Sequence, residues 1–122
     1  MASETAMDHL NTSYRFIEQA QEEFDRGDIL QASEKAWGAA ARAVKAAAEQ
    51  RGWEHKSHAH LFESVSKIAS ETSDGELRML FSAANTLHQN FYEGSQNEEF
   101  VQDNIQHVLV LVNKLTKFVF ES

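Results

Sequence analysis

The 122-residue chain contains neither cysteine nor proline. Without cysteine there is no disulfide framework and no cysteine-ligated metal site. Proline usually makes up about 5% of a protein and is concentrated at turns and sheet edges, so its complete absence favours long, uninterrupted helices. The length suits a single domain with one hydrophobic core, and we expect residues 1–122 to form that domain.

Positive charge is also scarce, because 19 aspartates and glutamates outnumber 11 lysines and arginines and give a formal charge of -8. This balance argues against an extended phosphate-binding surface and against DNA as a partner, but it leaves room for a local basic patch. The N-terminal sequence has no basic and apolar targeting signal, and no window is apolar enough to span a bilayer. We therefore expect a cytoplasmic protein without a membrane partner.

Apolar residues recur at steps of three and four along five segments that glycines separate. Gly27 ends the first segment, Asp28 caps the second and Ser57 caps the third. Two capping boxes, at residues 73–76 and 95–98, are predicted to begin the fourth and fifth helices. The pattern predicts an all-α bundle of about five helices.

Two of these predicted helices have an unusual composition. The second is mostly alanine beside one large residue, Trp37, so Gly38 is predicted to mark tight packing rather than flexibility. In the last helix the run 108–112 is apolar throughout, and the spacing on both sides of the run favours helix over strand. The last helix is apolar on more than one side and ends with Phe118 and Phe120, so we expect it to lie at the bundle centre or at the interface of a homodimer.

Three histidines between the second and third helices invite a metal interpretation. His55, His58 and His60 lie close in sequence to two glutamates, and imidazole is a good zinc ligand. His58 and His60 would point about 200° apart on a helix, however, and no HExxH pattern is present. We therefore expect no metal at these residues and assign His58 to the packed start of the third helix.

No GxSxG, GxGxxG or GxxxxGK[ST] motif occurs, so the densest remaining polar group is the stretch NTLHQNFYE at residues 85–93. Two asparagines, an imidazole and a phenol at a helix end exceed what packing requires. We expect these side chains to line a polar, ligand-binding cleft together with residues from the second and third helices. The predicted cleft residues are Asn85, His88, Asn90, Tyr92, His58 and Lys35.

The stretch LHQNFYE at 87–93, together with ASEKAWGAA at 32–40 and SHAHLFESV at 57–65, resembles the PaREP family of small archaeal helical proteins. That family is similar to a branch of the HEPN superfamily (higher eukaryotes and prokaryotes nucleotide-binding domains). The resemblance extends from about Tyr14 to Phe118. It implies an up-down, HEPN-like bundle that forms a symmetric homodimer, in which paired fourth helices bring two polar motifs together.

In HEPN ribonucleases the polar motif is typically RNxxxHxY. The resemblance puts Asn85 where the arginine would stand, Asn90 where the histidine would stand and Tyr92 at the tyrosine. An amide neither titrates near neutral pH nor carries the charge that holds a scissile phosphate. Arg51 and His58 also have a suitable spacing, but they lie on either side of a predicted helix break. The resemblance therefore implies no catalytic residues at this motif.

Two functions remain open at this point. One is a non-catalytic homodimer that acts as an interaction module or binds a small ligand, a nucleotide or an RNA end, with no cofactor. The other is a metal-independent ribonuclease or toxin-antitoxin component that uses His88 with a basic residue such as Arg51, Arg78 or Lys35. The resemblance also implies a protein partner of the nucleotidyltransferase type.

Overall fold

The computed structural model describes residues 2–121, which form five helices and no strand. The helices are α1 (Glu4–Asp25), α2 (Ile29–Arg51), α3 (His58–Thr72), α4 (Glu76–Glu93) and α5 (Glu98–Glu121). Connections of three to six residues join them, and such short connections pack consecutive helices side by side in a bundle. The predicted all-α bundle of five helices is confirmed.

Several helix ends are formed by the expected residues. The Asp28 carboxylate accepts a hydrogen bond from the Gln31 N–H at 3.1 Å, and the Ser57 hydroxyl oxygen accepts one from the His60 N–H at 3.1 Å. Gly27 has a φ of 89°, a left-handed conformation that glycine adopts without steric cost, and it separates α1 from α2. The turn chemistry in the sequence thus sets where α2 and α3 begin.

Both predicted capping boxes are wrong. Ser73 does not cap α4 but ends α3 in a left-handed conformation with a φ of 55°, and α4 begins after Gly75 without a side-chain cap. At α5 the Asn97 side chain, rather than Ser95, accepts the hydrogen bond from the Phe100 N–H, at 3.0 Å. Asparagine caps as well as serine does, and Asn97 directly precedes the first helical residue.

Helix α2 lies at the centre of the bundle, because it contacts each of the other four helices. From the sequence, α5 is also a candidate for the central helix. Within residues 2–121, however, α5 contacts three helices rather than four and leaves Val110 exposed. Alanines make α2 thin enough for the central place, and Gly38 serves the same purpose: a Cβ there would lie 3.1 Å from the Phe16 ring. The buried alanines of α2 are Ala32, Ala36, Ala39, Ala40, Ala43, Ala46, Ala47 and Ala48.

The apolar run at 108–112 is helical, as predicted. It belongs to α5, whose buried residues recur at steps of three and four along the whole helix. None of the helices within residues 2–121 has the length and hydrophobicity that a bilayer crossing requires.

Candidate functional site

Trp37 is the one large side chain on the alanine-rich face of α2, and other rings gather around it. Its indole is 6% exposed and lies 5.1 Å from the His88 ring, nearly parallel to it at 29°. The His58 ring meets the indole edge-on at 5.0 Å, and Phe81 lies beneath at 5.5 Å. These centroid distances are typical of favourable ring pairs.

Helix α4 supplies the next part of the site through its periodicity. Phe81, Asn85, His88 and Tyr92 are spaced four, three and four residues apart and therefore lie on one side of the helix. The Tyr92 ring meets the His88 ring edge-on at 5.3 Å and is itself 72% exposed. The Asn85 amide is half-buried and makes no hydrogen bond to the described residues.

The first turn of α3 completes the group. Because the Ser57 cap begins α3, His58 occupies the first helical position, where its exposed imidazole lies 5.1 Å from the His88 ring. Trp37, His58, His88 and Tyr92, from three helices, thus form a continuous group that we call the ring cluster. It has a buried end at Trp37 and an exposed end at Tyr92 and His58.

A carboxylate fixes the central imidazole of the ring cluster. Glu34, one turn before Trp37 on α2, has its Oε1 3.0 Å from Nδ1 of His88. The acceptor oxygen requires a proton on Nδ1, which leaves Nε2 as the ring nitrogen available to a ligand. The ring cluster therefore has apolar faces for stacking and one oriented polar atom.

The structure brings three of the predicted cleft residues together: His58, His88 and Tyr92. Asn85 lies on the same side of α4 as the last two. Lys35 is elsewhere: its ammonium lies 4.8 Å from the centre of the Phe16 ring on α1, because it is two residues, and so more than half a turn, from Trp37. The expectation that Lys35 lines the same cleft is corrected.

Asn90 is a structural residue rather than a cleft residue. Its side chain is 0% exposed; Nδ2 donates to the Ser33 hydroxyl at 3.0 Å, and Oδ1 accepts from the Gln96 N–H at 2.8 Å. The amide therefore joins α2, α4 and the connection to α5 inside the protein. With both of its polar atoms engaged and no exposed surface, Asn90 is not available to a ligand in this conformation, which corrects the sequence-based assignment.

Sequence reasoning missed the two α2 residues of the site as functional candidates. From the sequence, Trp37 is predicted only as the large residue beside the alanines of the second helix, and Glu34 has no predicted role of its own. The only signal for either was their separation of three residues, which places both side chains on one side of α2. Their contact with His88 depends on how α2 and α4 are rotated about their axes relative to each other. That rotation cannot be read from a single sequence.

The three histidines considered for a metal lie in three different surroundings. His55 pairs with Glu49, at 3.0 Å between Nε2 and Oε2, whereas His58 belongs to the ring cluster. His60 lies 3.2 Å from the carboxylate of Glu54. Within residues 2–121 no three histidine or carboxylate side chains are grouped so that they could hold a metal ion.

A cavity of about 430 Å³ lies away from the ring cluster, between the ends of α2, α3 and α5 and the start of α4. Four of the six charged side chains that line it pair with one another. Arg51 donates to the Glu71 carboxylate at 2.7 Å, which lowers the pKa of Glu71, and Lys114 donates to Asp74 at 2.7 Å. Hydrogen bonds to Asp74 and to Glu76 raise the pKa of Lys114. Such internal pairing suits a surface ion-pair network better than a ligand site.

Two comparisons place the chain among known proteins, while none of the curated proteins is a significant match. Residues 8–112 match the profile of the archaeal PaREP1/PaREP8 family. A crystal structure of a protein from Sulfolobus solfataricus is similar to this chain with a TM-score of 0.79 and 27% identity, over 87% of this chain and 94% of that one. Since the family profile covers most of the sequence, the chain belongs to the archaeal PaREP1/PaREP8 family.

Proposed function

We propose that this protein is a non-catalytic binding module whose ring cluster holds a planar, base-like ligand, such as the base of a nucleotide or an unpaired base at an RNA end. The observation that supports this proposal most directly is the exposed Tyr92 ring, which contacts the His88 imidazole that Glu34 holds in place. Exposed aromatic rings and histidines bind unpaired bases by stacking, which contributes about 1–3 kcal/mol per base.

Polar groups near the rings support the same ligand class. Nε2 of His88 and the amide of Asn85 offer a hydrogen-bond donor and acceptor set of the kind that pairs with the edge of a base. Both lie within one turn of each other on α4. Stacking supplies affinity with little selectivity, so these two side chains are the ones that would select among bases.

Cleavage of RNA has less support, because a ribonuclease of this type needs a cation beside its histidine. Arg51 is engaged by Glu71, and Arg78 donates to Ser66 and Ser70 on α3. Lys35 lies over a ring of α1. Among residues 2–121 of one chain, none of the three basic residues considered from the sequence contacts His88, whose charged neighbour is a carboxylate. The arrangement favours binding over cleavage.

Nucleoside binding tests the proposal, with Trp37 as the reporter. In a Trp53→Phe background, Trp37 is the remaining tryptophan, and adenosine or uridine bound at the ring cluster should change its fluorescence. Tyr92→Ala should weaken binding by about 5-fold or more, since it removes one stacking partner. Phe100→Ala is the matched control, because Phe100 is an equally exposed ring on α5.

Three results would contradict the proposal. The first is a fluorescence response that is absent at millimolar nucleoside. The second is equal weakening by Tyr92→Ala and Phe100→Ala. The third is RNA turnover by the pure protein that disappears in His88→Ala, which would establish the ribonuclease in its place.

We further propose that the module acts as a homodimer. Support comes from large apolar side chains that one chain leaves exposed, among them Val110 and Phe120 on α5 and Met79 on α4. Burying such groups is the main driving force for association. Sedimentation at micromolar concentration should show a species of twice 13.8 kDa, and a purely monomeric protein would contradict the dimer.

The proposal of a nucleotidyltransferase-type protein partner rests on the HEPN resemblance alone. The identity of the neighbouring gene tests it.

A further inference from the structure

A second group of side chains, which shares no residue with the ring cluster, brings two cations and two imidazoles together. It consists of Arg42 and Lys45 on α2, His9 on α1 and His55 in the connection after α2, and we call it the cationic seam. Neither Arg42 nor Lys45 has a carboxylate within 4.0 Å among the described residues.

Four cations elsewhere in residues 2–121 form ion pairs: Arg26 with Glu23, Arg51 with Glu71, Lys67 with Glu63, and Lys114 with Asp74. The other five, Arg15, Lys35, Lys56, Arg78 and Lys117, lack a carboxylate within 4.0 Å, as Arg42 and Lys45 do. The seam differs from single unpaired cations because it gathers two cations beside two imidazoles. Glu49, the acidic side chain that acts on His9, pairs with His55.

The geometry holds the seam groups together. Nη1 of Arg42 lies 3.4 Å from Nδ1 of His9, where the guanidinium is the donor and the imidazole the acceptor. The His9 and His55 rings meet edge-on at 5.9 Å. Lys45 follows Arg42 by three residues and so lies on the same side of α2. All four side chains are half-buried, which keeps their positions better defined than those of fully exposed side chains.

The pKa of His9 reflects its burial and the charged groups around it. Burial lowers the pKa of His9, and the charges of Arg42, His55 and Lys45 lower it further, whereas Glu49 alone acts in the opposite direction. These are the charged and titratable groups that face His9 from α2 and from the connection after it. Burial is the largest cause of this lowered pKa; the smaller contributions of Arg42, His55 and Lys45 reflect a positive potential at His9, which a bound anion would neutralise.

We propose that the cationic seam is a binding site for a phosphate group. A guanidinium fork binds phosphate oxygens with two parallel hydrogen bonds, a lysine adds a point charge, and a protonated imidazole adds a further donor. The proposal does not rest on the ring cluster, since no residue is shared between the two sites. A phosphate bound here raises the pKa of His9, because it places negative charge beside the imidazole.

Tripolyphosphate, which has no base, tests the seam separately from the ring cluster. Calorimetric titration at low ionic strength should show binding to the wild-type protein and a loss of about 10-fold or more in the double variant Arg42→Gln, Lys45→Gln. The control is Arg15→Gln, Lys117→Gln, which makes the same change of charge at an arginine and a lysine that also lack a carboxylate partner. Equal weakening in both double variants, or no binding at millimolar tripolyphosphate, would overturn the proposal.

The titration of His9, followed by NMR in the wild-type protein, gives a second readout that needs no variant. Tripolyphosphate should move the His9 titration midpoint to higher pH; an unchanged midpoint at saturating ligand would overturn the proposal even if the variants failed to fold.

A short oligouridylate then identifies the source of the phosphate. Loss of its binding in the Arg42, Lys45 variant indicates a nucleic-acid backbone, and unchanged binding indicates free phosphates or nucleotides.

Discussion

Replacing Asn90 by alanine should strongly destabilise the protein without involving any ligand. The change removes the donor to Ser33 and the acceptor for the Gln96 N–H, at 3.0 Å and 2.8 Å. Each lost hydrogen bond costs about 1–1.5 kcal/mol, and the buried groups left unpaired and the small cavity add to this. We expect the free energy of unfolding to fall by about 2–4 kcal/mol.

The expected shift in melting temperature follows from the size of the protein. At about 2.1 cal/mol/K per residue, the unfolding entropy of 122 residues is about 0.26 kcal/mol/K. A loss of 2–4 kcal/mol therefore lowers Tm by about 8–16 °C. Circular dichroism at 222 nm during heating, and during urea titration, measures both quantities.

The control is the same substitution five residues earlier. Asn85 is half-buried and has no hydrogen bond to the described residues, so Asn85→Ala should change stability by about 0.5 kcal/mol or less. The same variant should weaken nucleoside binding at the ring cluster. If Asn90→Ala stays within about 0.5 kcal/mol of the wild type, or if Asn85→Ala is equally destabilising, the distinction between the two amides is refuted.

Three other changes test separate features of the structure. Ser73→Gly should stabilise the protein by about 0.5–1 kcal/mol, because Ser73 has a φ of 55°, and an unchanged or lower Tm would contradict this. Tyr14→Phe should cost about 0.5–1.5 kcal/mol in urea unfolding, since the hydroxyl bonds Asn113 and Thr116 at 2.8 and 3.0 Å; equal stability would show that water replaces both partners. Stability should fall as the pH drops below 6.5, because the lowered pKa of His9 lets the unfolded chain bind the proton first, and His9→Gln should flatten that part of the urea-unfolding profile.

The fold followed from periodicity and from residues that act locally. Asp28 and Ser57 cap helices through bonds to N–H groups three residues away, a relation that the sequence displays directly. The serines of the two predicted boxes show the limit of this reasoning. Ser73 ends the preceding helix and Asn97 outcompetes Ser95, so spacing alone does not decide which of several capable residues caps.

The candidate site was predictable only in part, since its contacts cross between helices. Periodicity alone does not separate the two amides of α4: Asn90 follows the buried Leu87 by three residues and Asn85 follows the buried Phe81 by four, so both continue rows of buried residues. The partnership of Glu34 with His88 joins residues 54 positions apart and depends on the rotation of two helices. No single-sequence pattern reports that rotation.

The overall charge of -8 and a phosphate site at the cationic seam are compatible on physical grounds. Charges on the surface are screened over about 8–10 Å at physiological salt, so acidic residues farther away contribute little to the potential at Arg42 and Lys45. What decides local anion affinity is whether a carboxylate already neutralises the cations, and at Arg42 and Lys45 none lies within 4.0 Å among the described residues. The distant acidic residues should instead slow the approach of polyanions at low salt, where screening extends farther. Raising the salt concentration should therefore have two effects on tripolyphosphate. It weakens equilibrium binding at the cationic seam, and it reduces the long-range repulsion that slows the approach of the ligand.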